Sequence, residues 1–152
     1  MKDTLAIEQT RIARKYQADT ERRRGERDGV VVTPVEIVDF QIRAVMDTLA
    51  QQGLRLDDPK VRLIDPFGGT GIYAARLMQL CGLGPEGIDE LYHERLWVNE
   101  IDETAAAIAD TNLRNVFQQT TGRSARKNVV TCLDTFTLKE DYWPWGDDIN
   151  PA

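Results

Sequence analysis

Apolar positions along this chain fall into two patterns, helical stripes and short unbroken runs, and their order predicts the elements. Residues 3 to about 24 contain no Gly or Pro, and Leu5, Ile7, Ile12, Ala13 and Tyr16 form a loose stripe that predicts a helix. Gly25-Glu-Arg-Asp-Gly29 breaks it. Thr33-Pro34-Val-Glu36 then predicts a second helix start: Thr33 as cap, Pro34 at the first helical position and Glu36 completing a capping box. Val38, Ile42, Val45 and Leu49 repeat at helical spacing and predict one buried face, which ends at Gln51-Gln-Gly53. The run 61–65 predicts a first strand, and Ile72 to Leu80 a helix. Cys81 to Gly87 reads as a glycine-rich loop, followed by a short helix over 88–95. A second strand is expected over 96–100. Asp102 should cap an alanine-rich helix to about Gln119, and a third strand is expected over 128–133.

Strands that alternate with helices argue for an α/β fold with a parallel sheet and right-handed crossovers. In such sheets ligands bind beyond the carboxyl ends of the strands. All three predicted strand ends carry an acid: Asp65, Glu100 and Asp134. The first is followed by Pro66-Phe-Gly68-Gly69-Thr-Gly71 and then by a helix. Strand, glycine turn and helix together let a backbone approach a nucleoside-bearing ligand closely.

Composition narrows the picture. At 152 residues with 41% hydrophobic and 29% charged positions, the chain is expected to form one domain or part of one. No run is long and apolar enough to span a membrane, and Met1 to Glu8 does not read as a secretory signal. Cys81 and Cys132 lack zinc-ligand spacing and read as small buried hydrophobes of a reducing compartment, so a cytoplasmic location is expected. A net charge of −6 argues against this segment being the main grip on a phosphate backbone. The cations at Arg11, Arg14, Lys15, Arg22, Arg23, Arg24 and Arg27 are interleaved with acids and read mostly as a solvated helix face. His93, on a polar stretch, is expected at the surface. Trp143-Pro-Trp145 is expected to be an ordinary loop with packed tryptophans.

The three acids suggest distinct tasks. A carboxylate after the second strand, Glu100, can accept from both ribose hydroxyls. Asp134 can accept from an exocyclic adenine amine, and Phe67 and Ile101 can flank a flat base. Asp65, beside the glycine turn, suits a cationic amino or sulfonium group, because an aspartate would repel a pyrophosphate. S-adenosylmethionine is preferred over a dinucleotide on that ground. Gly69-x-Gly71-x-x-Ala74 does satisfy the relaxed dinucleotide pattern, but Glu100 lies 29 residues after Gly71, beyond the usual spacing of about 20. Each acid by itself also reads as a simple helix cap.

These motifs resemble the amino-group DNA methyltransferases, in particular the adenine-specific methylases of large restriction–modification and helicase-linked enzymes. Thr33-Pro34 and the helix after it are similar to motif X, which contributes to the methionine end of the cofactor site. Asp65-Pro66-Phe67-Gly-Gly69-Thr-Gly71 is similar to motif I. Asn99-Glu100-Ile101, with the helix carrying Asn112, is similar to motif II, and Leu133-Asp134-Thr135-Phe136 to motif III. The order X, I, II, III agrees, over roughly residues 30–138. The resemblance implies a Rossmann-like, S-adenosyl-L-methionine-dependent methyltransferase fold with an incomplete parallel sheet. It divides the chain into an amino-terminal helical segment (1–29), the cofactor-binding half (30–138) and an irregular tail (139–152). The implied cofactor residues are Thr33, Pro34, Asp65, Pro66, Phe67, Gly69, Gly71, Glu100, Ile101, Asp134 and Phe136. The implied chemistry is direct transfer of a methyl group to a base amine, with proximity supplying much of the rate.

One departure matters. Such enzymes carry Asn-Pro-Pro-Tyr, Asp-Pro-Pro-Tyr or a relative after a fourth strand, where it holds the target amine and stacks on a flipped base. This chain has none, and Asn150-Pro151-Ala152 is the nearest string. No catalytic residue is assigned. The chain is therefore expected to be the amino-terminal piece of a methylase. Alone, it should bind the cofactor weakly or not at all and transfer no methyl group. DNA would be engaged through regions this chain lacks, with the remainder of the methylase or a nuclease or helicase module as partners. The strand at 61–65 should have an unpaired edge. Two other readings stay open: a nicotinamide-dependent oxidoreductase fragment, and a non-enzymatic remnant or interaction module. Methylation of RNA or of protein glutamine is also compatible, since the acceptor motif would identify the substrate.

Overall fold

The computed structural model describes residues 3–24, 32–139, 142, 144 and 145. Its elements follow the expected order: α1 (Thr4–Arg24), α2 (Val35–Gln51), β1 (Leu63–Asp65), α3 (Ile72–Leu80), α4 (Pro85–Glu90), a π-helical turn (Leu91–Arg95), β2 (Leu96–Asn99), α5 (Glu103–Thr121), β3 (Val130–Thr131) and a 3-10 turn (Thr135–Thr137). The three strands form one parallel sheet in the order β1-β2-β3. The break at Gly25–Gly29 with its cation Arg27, the indole of Trp143 and the Asn150-Pro151-Ala152 string lie outside the described residues.

Strand bounds are shorter than the sequence predicts, and side chains explain why. Arg95 donates Nη1 to the carbonyls of Leu56 (2.7 Å), Asp58 (3.1 Å) and Val61 (3.1 Å), so Val61 serves that turn and not the ladder. At β3, Asn99 acts as a strand substitute. Its Oδ1 accepts the Leu133 N–H at 3.1 Å and its Nδ2 donates to the Leu133 carbonyl at 2.8 Å. The chain beyond Thr131 is thus held by an amide side chain where backbone pairing stops. β1 pairs with β2 alone, so its other edge is unpaired among the described residues, as the sequence predicts.

Helix ends also depart from expectation. Thr33 does not cap α2. Pro34, extended at φ −57° and ψ 140°, is the boundary residue, and its carbonyl accepts the Ile37 and Val38 N–H groups. Glu36 sits in the first turn, where its charge suits the helix dipole. Helix α4 begins inside the predicted glycine loop because Pro85 takes the first helical position, its missing N–H costing nothing there. Asp102 caps α5 as predicted, accepting the Ala105 N–H at 2.8 Å.

Two apolar clusters meet at Leu63. One joins β2 and β3 to α3, α4 and α5; the other joins α2 to α3. The face of α2 is narrower than predicted: Val38 and Ile42 are buried and Leu49 half-buried, but Val45 is exposed along the β1 edge. Helices α1, α2 and α3 are tied by Arg76, whose buried guanidinium donates to Asp39 (2.7 and 2.8 Å), Asp3 (2.7 Å) and Gln79 (2.8 Å). Removing one partner of so buried a charge typically costs about 3–5 kcal/mol.

Two further expectations are corrected, for His93 and for the cysteines. His93 is buried, not at the surface. Its Nδ1 faces the Asp89 carbonyl (2.9 Å) and carboxylate (3.1 Å), while Nε2 accepts the Arg126 N–H at 3.0 Å. The π-helical turn brings it inward against Tyr92 and Phe117, with ring centroids 5.0 and 5.2 Å away. Cys132 is exposed because it follows the last ladder residue of β3, and Cys81 is half-buried, its thiol pushed up by burial. Trp145 is half-buried, with the Arg62 guanidinium 5.8 Å from its ring centre.

Candidate cofactor site

The glycine turn is built by β1, β2 and α5 together. Gly68 donates its N–H to the Asn99 carbonyl at 2.8 Å, bringing the turn against the end of β2. A β-carbon on Gly68 would stand 2.3 Å from Val98 Cγ1, so no larger residue fits. Gly71 lies at φ +78°, a left-handed conformation, and its missing β-carbon would press on Ala109 and Leu113 of α5 at 3.3 and 3.2 Å. Both constraints favour glycine on grounds of geometry alone.

Glu100 latches this turn. Its Oε2 accepts the Gly69 N–H at 2.8 Å and its Oε1 accepts the Asp102 N–H at 2.9 Å. A carboxylate has about four acceptor positions, so both oxygens retain capacity for hydroxyl donors. Asp65 is half-satisfied. Its Oδ1 accepts the Phe67 N–H at 3.2 Å, while Oδ2 is buried and accepts nothing among the described residues. Burial above all, with a smaller push from the Glu100 charge, raises the Asp65 carboxyl above its ordinary range; the Phe67 N–H opposes this. A buried, unpaired carboxylate oxygen disfavours its own charge until a cation or donor reaches it.

Beside these acids lies an apolar shelf. Phe67, Ile101 and Phe136 are 63, 63 and 87% exposed, unusual for large hydrophobic side chains. The rings of Phe67 and Phe136 are 5.9 Å apart, tilted by 39°. Asp134 accepts the Phe136 N–H at 3.0 Å through Oδ1, which sets the 3-10 turn and presents that ring. Thr135 braces the shelf, donating to the Pro66 carbonyl at 2.9 Å and accepting from Asn99 Nδ2 at 2.9 Å. The strand tips thus gather Asp65, Pro66, Phe67, Gly69, Gly71, Glu100 and Asp134 with Phe136; Ile101 stands at the end of β2. Thr33 and Pro34 are placed differently, lining a cavity with Thr10, Arg14 and Gln17 of α1.

Sequence reasoning missed several supporting residues. Asn99 reads as an ordinary strand end, yet its amide organises both the shelf and β3. Tyr16 of α1 is buried, and its phenol stands near Asp102. Burial first, then the charges of Asp102 and Glu100, push that phenol up, with Thr20 opposing. Gln9 reaches Asn112. The weak apolar stripe of α1 gave no hint that its polar residues approach the site.

No protein-family model matches this chain, and no curated protein matches it. Solved structures do. A DrdV–DNA complex matches with a TM-score of 0.73 and 27% identity, over 84% of this chain and 13% of that one. LlaBIII, an ATP-dependent Type ISP restriction–modification enzyme bound to DNA, matches with a TM-score of 0.69 and 30% identity, over 82% and 9%. The chain is similar to one segment of restriction–modification enzymes. A nuclease-deletion mutant of LlaGI, also of Type ISP and in complex with a DNA substrate mimic, gives 0.66 and 25%, over 90% and 12%. The chain spans about a tenth of the length of these enzymes. Among the described residues, no helix is long and apolar enough to cross a membrane.

Proposed function

We propose that this chain is the S-adenosylmethionine-binding portion of a DNA methyltransferase in a restriction–modification system, one that methylates the exocyclic amine of adenine. The observation that carries this reading is the buried Asp65 oxygen, unpaired among the described residues, beside a glycine turn latched by Glu100. The residues fit the cofactor: a raised carboxyl awaits a cation, a bridging carboxylate keeps acceptor capacity for ribose hydroxyls, and exposed rings offer a face to a purine. The similarity to segments of restriction–modification enzymes supports DNA as the partner of the whole enzyme. When bound, the cofactor supplies a methyl group activated by its sulfonium. This chain's own residues would orient that donor and hold its amino-acid end. The sequence contains no Asn/Asp-Pro-Pro-Tyr to hold the acceptor amine, so the chain alone is expected to transfer nothing to duplex DNA.

A nicotinamide cofactor fits less well, because the unpaired Asp65 oxygen would meet its pyrophosphate. Titration followed by amide NMR separates the two. Millimolar S-adenosylhomocysteine should shift the Gly69, Gly71 and Phe136 resonances, and NAD should not. Glu100→Ala should abolish the shifts. Of the two outcomes expected from the sequence, weak binding and none, the carboxylate geometry supports weak binding. A response to NAD alone, or silence towards both ligands, overturns that reading, and DNA labelling by the isolated chain from radiolabelled cofactor overturns the claim of inactivity.

A further inference from the structure

A buried polar relay joins α1 to the glycine turn. Gln9 and Asn112 face each other as a reciprocal amide pair: Gln9 Nε2 donates to Asn112 Oδ1, and Asn112 Nδ2 donates to Gln9 Oε1, each at 2.8 Å. Asn112 Nδ2 also donates to the Thr70 carbonyl at 3.0 Å. Both side chains are almost fully buried, Gln9 at 2% and Asn112 at 4% exposure. Amides so deep in an apolar setting are retained only when satisfied, and here each satisfies the other. Asn112 spends its two N–H groups on Gln9 and Thr70. Without Gln9, its oxygen loses its donor and its amide is free to rotate away from Thr70.

Thr70 lies between Gly69, whose N–H is latched by Glu100, and Gly71, which packs on Ala109 of the same α5 face. Fixing the Thr70 carbonyl fixes the Thr70–Gly71 peptide plane, which lies two peptides along from the Gly68–Gly69 plane whose N–H meets Glu100. A second contact lies two turns along: Tyr16 of α1 is buried beside Thr104 and Ile108 of α5, near Asp102, whose own N–H is held by Glu100. Helix α1 thus approaches the turn and the carboxylate at two points.

We propose that Gln9, acting through Asn112, is a positioning residue for the donor site, and that α1 is a working part of that site. This rests on the proposed cofactor reading, but one arm of its test does not. Gln9→Leu keeps the volume and removes the amide. Val116→Ala, a core truncation one turn beyond Asn112 on α5, serves as the stability-matched control. In the ligand-free protein, well below both melting midpoints, Q9L should move the Gly69 and Gly71 amide resonances and V116A should not. With S-adenosylhomocysteine, Q9L should weaken binding by roughly tenfold or more, the effect of losing a buried hydrogen bond at the site, while V116A binds like the parent chain. Unmoved glycine resonances in folded Q9L, or equal loss of affinity in both variants, would overturn the proposal. Should Q9L not fold, the smaller Gln9→Ser gives the same readouts. Failure of the parent chain to bind overturns the cofactor reading alone, since the ligand-free resonances still decide the role of Gln9.

Discussion

Replacing Asp65 by asparagine should stabilise the fold at neutral pH and weaken its hold on a cation. The side chain accepts one N–H, from Phe67, and its second oxygen is buried with no donor among the described residues. Burial and the Glu100 charge raise its folded pKa above the ordinary 3.8. The folded protein therefore binds this proton more tightly than the unfolded chain does. Stability falls as pH rises from the unfolded value through the raised folded value, and stays reduced above it. An unsatisfied buried polar group costs about 1–3 kcal/mol, more when charged. Exchanging the charge for a neutral amide should recover on the order of 1 kcal/mol, or roughly 2–4 °C in Tm for a chain of this size. The assay is urea unfolding of both proteins at neutral pH and again at about pH 3, below the ordinary carboxylate value, where the wild-type carboxyl is protonated in both states and the gain should vanish. The same variant should bind S-adenosylhomocysteine about tenfold less tightly, through loss of a charge-assisted contact to its ammonium. A D65N protein that is less stable at neutral pH, or whose gain does not depend on pH, would refute this reasoning.

Gly68→Ala should destabilise the fold by about 2 kcal/mol or more, since its β-carbon would stand 2.3 Å from Val98 Cγ1; an unchanged midpoint in chemical denaturation would count against the packing described. His93→Ala should cost about 2–4 kcal/mol by opening a cavity and leaving the Arg126 N–H without its acceptor, again read by denaturation. Val45→Lys, on the exposed lip beside the unpaired β1 edge, should reduce self-association in sedimentation velocity and change stability by less than about 0.5 kcal/mol; association that ignores the charge would place the contact elsewhere.

Element order, the cap at Asp102 and the strand-tip acids were legible because each is a local signal: a periodic stripe, a capping residue, or an acid after an apolar run. What escaped the sequence was every arrangement made by a side chain standing in for backbone. Arg95 takes the Val61 carbonyl that would otherwise have extended β1, and Asn99 replaces the ladder that would have lengthened β3. His93 was misjudged for a related reason. A hydrophilic neighbourhood argues for exposure only in a regular helix, whereas a π-helical turn changes which face is inward. The reach of α1 was hidden because Gln9 and Tyr16 matter through partners about 100 and 86 positions away, at Asn112 and Asp102.

The register of the sheet adds an argument about length that no single residue makes. Asp65 pairs with Val98, and Asn99 pairs with Thr131. Counted along β2, Asp65 stands at the level of 98, Glu100 two positions higher, and Asp134, three beyond Thr131, at the level of 102. Glu100 stands past the end of β2 and Asp134 at the start of the 3-10 turn, so the register gives the heights of the three acids and not the directions of their side chains. These heights climb a diagonal. Four residues of rise and two strand spacings give a span of roughly 16 Å. A compact ligand such as a lone nucleobase would touch one or two of these acids, whereas an extended donor with an ammonium end, a ribose and a purine would meet them in order. The proposed assignment of amino end to Asp65, ribose to Glu100 and base to Asp134 thus follows the climb of the sheet. It predicts that adenosine, which lacks the amino-acid end, is insensitive to Asp65→Asn yet still lost with Glu100→Ala. Adenosine binding that weakened equally in both variants would mean the ligand does not lie along that diagonal.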